Sequence, residues 1–327
     1  LCPYRLYRNS GATVVDMPAL ILLLALALDL LLGDPPNRYH PVVLMGSFIR
    51  GMARLAPQED PTRRFVHGTG LVLSGVVLFS LPLAWALVWV RRLNPLAYFL
   101  LAALLLKATF ACTGLVKAAR QVKAALERGD LPEARRLVSW HLVSRDTSQL
   151  DASLVAAAAV ESVAENITDG IVAPLLFFAL AGLPGAWAYR FVNTCDSMLG
   201  YRDPVHEHLG KFAARLDDVL NFIPARLAGL LLVAAAGLAG EDSRGAWQTM
   251  WHQHHRTASP NAGWTMSAMA GALGVTLEKV GHYRLEGGPT SPGIETIDRA
   301  LKVTAVTVGL FVSLLGTVLT AAYISTL

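Results

Sequence analysis

LVLSGVVLFSLPLAWALVWV, residues Leu71 to Val90, carries no charged side chain. A helix rises about 1.5 Å per residue, so about 20 apolar residues cross the hydrocarbon core of a bilayer. This stretch is long enough, and Leu96–Val116 and Val303–Ala322 match it. Three weaker apolar segments lie at Met17–Leu32, Ile171–Trp187 and Ile223–Leu238. The first contains Asp29. The second is interrupted by Pro174, Gly182, Pro184 and Gly185, and the third begins with Pro224 and Arg226. Non-helical backbone at membrane depth is tolerated only where protein or water lines it. At least one of these last two segments is therefore predicted to be re-entrant.

Composition agrees with the apolar runs. The chain has 327 residues, 54% hydrophobic and 16% charged, against about 25% charged in soluble domains. The expected fold class is all-α, a polytopic integral membrane helical protein in which polar helical loops form the active site. Residues 17–327 read as a single membrane-embedded domain. Residues 1–16, LCPYRLYRNSGATVVD, read as an upstream extension with Met17 as the start.

The polar remainder narrows the function. A net charge of +4 without a dense Lys/Arg stripe points away from nucleic acid. RRLNP joins the second and third apolar segments as a hairpin, which puts the loops Gly33–Thr69 and Lys117–Gly170 on one side. Both are Arg-rich, as a cytoplasmic face is, so the expected location is the cytoplasmic membrane, crossed several times, with the lipid bilayer as partner. Cys2, Cys112 and Cys195 form neither a disulfide framework nor a CxxC zinc pattern. The phosphate loop GxxxxGK[ST], the GxSxG elbow and a GxGxxG fingerprint are missing from the sequence.

VESVAENITDG, Val160 to Gly170, then concentrates carboxylates beside an apolar run. A helix is expected here, starting at Asp146 with Gln149 in capping-box relation and stopping at Gly170. At about 100° per residue, Glu161, Ser162, Glu165, Asn166 and Asp169 share an arc of about 140°. Such a set can be the solvated face of an amphipathic helix. Yet Glu161 and Glu165 repel at i,i+4 by a few tenths of a kcal/mol, and Asp169 sits where the helix dipole favours a cation. A bound cation such as Mg²⁺ is the other reading.

Further polar clusters follow. In GDPPNRYHPVVLMG (Gly33–Gly46), Asp34 could be a ligand and His40 an acid, base or donor, or the segment is a structured turn. In YRFVNTCDSMLGYRDP (Tyr189–Pro204), Asn193, Asp196, Ser197 and Tyr201 are expected on one helical face, with Arg202 beyond. In GKFAARLDDVLNFIPARL (Gly210–Leu227), Asp217 and Asn221 form a polar row. There Arg215 could simply pair with Asp218, and Arg226 lies in an apolar segment where ionisable groups mark function. In SPNAG (Ser259–Gly263), Ser259 or Asn261 could cap a helix whose exposed N–H groups suit a phosphate. HQHH (His252–His255) lacks the HExxH spacing of a metalloprotease.

These clusters, in this order, resemble the adenosylcobinamide-phosphate synthase family of cobalamin biosynthesis. The segments that carry the likeness are DLLLGDPPNRYHPVVLMG, SRDTSQLD, VESVAENITDGIVAPLLFF, LPGAWAYRFVNTCDSMLGYR, AARLDDVLNFIPARL and SPNAGWTMSAMAGALGV. The resemblance runs from Met17 to about Pro292, with LEKVGHYRLEGGPTSPG fitting more loosely. It implies a membrane ligase that uses ATP and Mg²⁺. Its substrates would be the free propionate of adenosylcobyric acid and (R)-1-aminopropan-2-ol or its O-phosphate (aminopropanol phosphate).

On that basis Glu161, Glu165 and Asp169 are expected to hold Mg²⁺, with Asp196 or Asp217, and together with His40 to form the catalytic set. Arg145, Arg202 and Arg215 are candidate phosphate clamps, since guanidinium binds phosphate bidentately. Asn166, Asn193 and Asn261 are candidates for the corrin side-chain amides. Asp146, Ser148, Ser197, Tyr201, Asn221, Arg226 and Ser259 complete the expected substrate-binding residues. A homo-oligomer, and contacts with other membrane enzymes of the pathway, are further expectations. Two rivals stand beside this reading: a transporter with Asp29, Lys107 and Arg226 along its path, and a non-catalytic membrane sensor or scaffold.

Overall fold

A computed structural model describes residues 18–33, 40–57, 60–143, 145–201 and 206–325. Asp34, Arg202 and the extension at 1–16 lie outside the described residues. The first helices are α1 (Pro18–Leu32), α2 (Pro41–Arg54), α3 (Pro61–Leu93), α4 (Pro95–Lys107), α5 (Cys112–Glu127) and α6 (Leu131–His141). Then come α7 (Ala152–Ile167), a π-helical turn (Thr168–Val172), α8 (Ala173–Leu199), α9 (Lys211–Leu220), α10 (Phe222–Leu238), α11 (Ser243–Gln253) and α12 (Ala262–Leu273). A hairpin of β1 (Thr276–Lys279) and β2 (Tyr283–Glu286) precedes α13 (Ile294–Ile324). Pro61–Leu93, Pro95–Glu127, Ala152–Leu199 and Ile294–Ile324 are each long and apolar enough to cross a membrane. The chain is therefore all-α and polytopic, as the apolar runs predict.

The described residues group into two compact units. One comprises the chain up to Ala111, Ala173–Leu220 and the end from Leu314. The side chain of Asp60 starts α3 by accepting from the Thr62 and Arg63 N–H groups, with Pro61 at the first helical position, where its missing N–H is harmless. Asn94 ends α3 and caps α4 through the Ala97 N–H. Met45, Ile49, Leu71, Val72, Phe191 and Cys195 form the core of this unit. At Gly75 a Cβ would come within 1.9 Å of the Phe191 ring, so α3 and α8 approach closely there because the side chain is absent. Asp29 of α1 and Lys107 of α4, both buried, lie 3.7 Å apart.

The other unit comprises Cys112–Val172 and Asn221–Ser313, and α7 is at its centre. Asp151 caps α7 through the Leu154 N–H. Every residue from Val155 to Ala164 is buried, against α5, α6, α12 and β1. The small side chains of Ala156–Ala159 permit that enclosure. At Gly271 of α12 a Cβ would sit 2.2 Å from the Gly245 carbonyl of α11. Arg299 pairs with Glu241 and Lys123 with Asp298, tying the first turns of α13 into this unit.

Four local expectations are corrected. The helix over the carboxylates starts at Ala152 rather than just after Asp146, because Asp146 closes a turn on Ser148 instead. It does not stop at Gly170: a π turn carries it into α8, with Gly170 buried and helical rather than left-handed. The break expected in Ile171–Trp187 falls at Gly182 (φ 66°, ψ −163°), where glycine alone avoids the Cβ clash. Tyr201 does not join Asn193, Asp196 and Ser197 on a helical face, because α8 ends at Leu199. The β1–β2 hairpin is a further element that the apolar pattern does not announce.

Candidate active site

A fully enclosed helix is a costly place for a carboxylate, and α7 carries Glu161 in its most buried stretch, 4% exposed. The Arg145 guanidinium, from the irregular segment before α7, donates to Glu161 Oε2 at 3.1 Å. Oε1 of the same carboxylate is buried and has no hydrogen-bond partner, and neither has Arg145 Nε. Thr168 Oγ1, in the π turn, is likewise buried and unpartnered. Native structures leave few such atoms, and each calls for an explanation such as a bound ligand or ion. Glu165, half-buried one turn on, and Lys279 of the hairpin add their charges at Glu161, and the Tyr283 hydroxyl of the hairpin donates to its carboxylate. The π turn is itself of a kind that recurs at functional sites.

Around this pair the other polar groups of α7 are satisfied locally. Ser162 Oγ donates to the Leu142 carbonyl, and Asn166 Nδ2 donates to the Ser162 carbonyl and hydroxyl. Asp146 accepts from the Ser148 N–H and hydroxyl, and these bonds hold its carboxyl below the usual range. A polar cleft of about 290 Å³ opens beside Ser153 and Ala157 of α7 and Glu278 and Arg284 of the hairpin. Ala157 is one turn before Glu161 on α7; the hairpin residues lining the cleft, Glu278 and Arg284, are on the face of the ladder opposite Lys279 and Tyr283.

The same unit holds a second cluster. Arg226 Nη1 donates to the Phe222 carbonyl at 2.7 Å and to Asn261 Oδ1 at 3.2 Å. Its guanidinium lies 3.5 Å from the Phe222 ring centroid and 4.9 Å from that of Trp264. Ser259, not Asn261, serves the start of α12, accepting from the Asn261 and Ala262 N–H groups. Asn221, buried at the start of α10, caps nothing with its side chain. His252 and His254 turn their Nδ1 atoms to the Gln248 and Met250 carbonyls, as ordinary helix-bound histidines do.

The first unit holds the remaining candidates. Asn193 Nδ2 donates to Asp217 Oδ1 at 3.3 Å, both buried. Ser197 is exposed, its hydroxyl bonded to the Asn193 carbonyl. Asp196 packs under Gly200, where a Cβ would meet its Oδ1 at 2.1 Å. Arg215 lies on the exposed side of α9, away from buried Asp217. His40 caps α2, its Nδ1 accepting from the Val42 N–H; that bond places the ring proton on Nε2 and suits a donor better than a base. Asp29 and Lys107, two of the three residues named for a transport path, face each other at 3.7 Å.

Among the described residues, no three His, Cys, Asp or Glu side chains are grouped to hold a metal. The five carboxylates expected to surround Mg²⁺ are thus not gathered into one preformed cage. Glu161 and Glu165 are brought together, and Asn193 is joined to Asp217. Sequence reasoning missed Lys279 and Tyr283. The signal was present: TLEK and YRLE alternate apolar Leu277 and Leu285 with polar residues around VGH, a hairpin pattern.

Comparison with known proteins agrees with these motifs. The model of the family described as "CobD/Cbib protein" matches residues 22–310. A relative from Dehalococcoides mccartyi, named "Cobalamin biosynthesis protein CobD", is 50% identical over 266 residues, 81% of this chain and 86% of its own. A "Probable cobalamin biosynthesis protein CobD" from Methanothermobacter thermautotrophicus is 42% identical over 293 residues, 89% of this chain and 94% of its own. The protein named "Cobalamin biosynthesis protein CobD" of Klebsiella pneumoniae is 40% identical over 258 residues, 76% of this chain and 79% of its own. No solved structure matches the chain.

Proposed function

The chain belongs to the CobD/Cbib family, and from that membership we propose that it is a cobalamin-biosynthetic enzyme of the cytoplasmic membrane that forms an amide bond. The substrates proposed are the free propionate of adenosylcobyric acid, ATP, and (R)-1-aminopropan-2-ol or its O-phosphate. The product is adenosylcobinamide or its phosphate.

A carboxylate does not acylate an amine, because oxide would have to leave. Attack of the propionate oxygen on the γ-phosphorus of ATP expels ADP and leaves an acyl phosphate. The amine, once its ammonium has lost a proton, attacks the carbonyl carbon; inorganic phosphate departs as the amide forms. The protein's part in such chemistry is to hold the reactants in line, neutralise phosphate charge and accept one proton.

Arg145 is assigned to the phosphates, its Nε still unpartnered and its guanidinium able to bind phosphate bidentately. Glu165, half-buried, is assigned to accept the ammonium proton, ahead of His40, whose Nδ1 lone pair is engaged in the α2 cap. Glu161 and Glu165 fit Mg²⁺, which commonly takes one or two carboxylates with phosphate oxygens and water, and which when bound would screen the phosphate charge. The polar cleft beside Ala157 is assigned to the small amine. Asp169, Asn166, Asn193 and Asn261 stay as candidates for contacts with the larger corrinoid.

The observation that carries this reading is the unpartnered Oε1 of Glu161 inside an otherwise sealed helix. A helix shaped for stability alone would place alanine there. The test is to supply purified protein in nanodiscs with ATP, Mg²⁺, adenosylcobyric acid and aminopropanol phosphate. An amide product of the expected mass, formed with one ADP each, supports the ligase. Movement of substrate into sealed vesicles without ATP hydrolysis would refute it in favour of transport.

A further inference from the structure

Two hairpin residues that are not among the candidate site residues of the sequence analysis reach the Glu161 site. The β1–β2 ladder pairs Leu277 with Leu285 and Lys279 with Tyr283. Strand side chains alternate between faces, so residues two apart share one. Leu277 and Leu285 are fully buried, and β1 packs on α7. Lys279 and Tyr283 therefore lie on the inner face, toward α7, at the end of the ribbon nearest its turn. The Tyr283 hydroxyl is hydrogen-bonded to Glu161 and Lys279 adds its positive charge there, while the Glu165 charge reaches Tyr283 as well. The turn between them is Val280–Gly281–His282; the His282 N–H donates to the Lys279 carbonyl, which puts Gly281, at φ 76°, at the third position of a β-turn, where a positive φ favours glycine.

We propose that Tyr283 and Lys279 are positioning residues for the Glu161–Glu165 carboxylates, carried by the β1–β2 hairpin. This rests on the assignment of Glu161 and Glu165 to the reacting site. Tyr283 supplies a neutral hydroxyl donor that orients the Glu161 carboxylate from the side opposite its own helix. A tyrosine phenol ordinarily titrates at about 10, so its hydroxyl is a donor at neutral pH. Lys279 supplies a second cation beside Glu161, which already takes the Arg145 guanidinium, and it meets the phosphate charge when nucleotide arrives.

The reason to need such a device is electrostatic. Arg145 is held to one oxygen of Glu161, and Glu165 repels the same group. Arg145 holds one oxygen of the carboxylate, and the Tyr283 hydroxyl is the second donor that fixes its direction. α12, which also packs on α7, carries no ionisable residue in Ala262–Leu273, and besides Arg145 and Glu165 the side chains that act on Glu161 are Tyr283 and Lys279 of the hairpin.

The experiment compares Tyr283→Phe, Lys279→Ala, Lys279→Arg, Val280→Ser at the exposed turn, and Glu161→Gln, all in nanodiscs. Supporting groups around a metal site typically change affinity or activity about 10- to 100-fold. Tyr283→Phe is expected to lower kcat by about that factor, with KM for the corrinoid unchanged, and to raise the Mg²⁺ concentration for half-maximal rate. Lys279→Ala is expected to raise KM for ATP, and Lys279→Arg to restore it; Val280→Ser matches the parent. Titration calorimetry with Mg²⁺–ATP reads the same variants without any turnover. If Glu161→Gln is inactive while Tyr283→Phe and Lys279→Ala keep parental kinetics and Mg²⁺–ATP affinity, the hairpin proposal is wrong and the site assignment survives. If Glu161→Gln turns over normally, the site assignment falls. If the parent binds no Mg²⁺–ATP, both fall.

Discussion

Replacing Glu161 and Arg145 by alanine, singly and together, measures how closed the site is. Their contact is 3.1 Å, with the carboxylate side chain 5% exposed and the guanidinium 20% exposed. An exposed ion pair couples by about 0.2–1 kcal/mol, whereas a hydrogen bond to a charged group contributes about 1.5–3 kcal/mol. Removing one partner of a fully buried pair costs about 3–5 kcal/mol. Arg145 still meets solvent along one edge, so the lower part of that range applies to Glu161→Ala, about 3 kcal/mol. Arg145→Ala costs less, because an abandoned carboxylate can neutralise itself by taking up a proton, whereas a guanidinium cannot lose one. The double variant is expected to be more stable than the sum of the singles by a coupling of about 2 kcal/mol. Equilibrium unfolding of the four proteins in mixed micelles, followed by circular dichroism near neutral pH, yields the cycle. A coupling under about 0.5 kcal/mol, within ordinary additivity error, would show that the contact is incidental and that the site is open to water.

Four other outcomes are expected. Glu165→Gln should lower amide formation by at least about 100-fold, the usual scale for a positioned acid or base, in protein that still folds; near-normal turnover at saturating Mg²⁺ would remove Glu165 from the reacting set. Gly75→Val should destabilise the first unit by about 1–3 kcal/mol through overpacking against Phe191, seen as a lower thermal midpoint, and an unchanged midpoint would contradict the 1.9 Å approach. Arg226→Lys keeps the charge but loses planar stacking on Phe222 and Trp264, so a stability loss of about 0.5–2 kcal/mol is expected; parental stability would refute the stacking. The Asp146 carboxyl is held below its ordinary value by the Ser148 N–H and hydroxyl, so its turn is fully supported above about pH 3.9 and released as pH falls through the lowered value. Amide exchange at Ser148 should accelerate only in that acid range, and acceleration at neutral pH would refute the bond.

Much of the site was legible from residue order, though not its enclosure. Glu161 and Glu165 share a face because i and i+4 always do on a helix. Asp169 falls in a π turn, whose different rotation per residue the 100° rule does not follow. Gly170 looks like a stop, yet nothing local forces it into the left-handed region, and packing keeps it helical. Asp146 and Asp151 are both good caps; the choice depended on Ser148, which offers Asp146 a closer partner. The hairpin was overlooked because four-residue strands are short beside the apolar runs, and because Leu277 and Leu285 acquire meaning only once α7 lies under them.

The sequence by itself determined that this chain lives in a membrane as a bundle of helices, since uncharged runs of that length have no other stable environment. It also determined which polar motifs place the chain in its family. Tertiary structure alone decided that Glu161 is sealed rather than solvated, and that Lys279 and Tyr283, more than a hundred residues further along, are set against it. The reason is physical: hydrophobicity is a property of a segment, whereas burial of one carboxylate depends on which distant surfaces close over it.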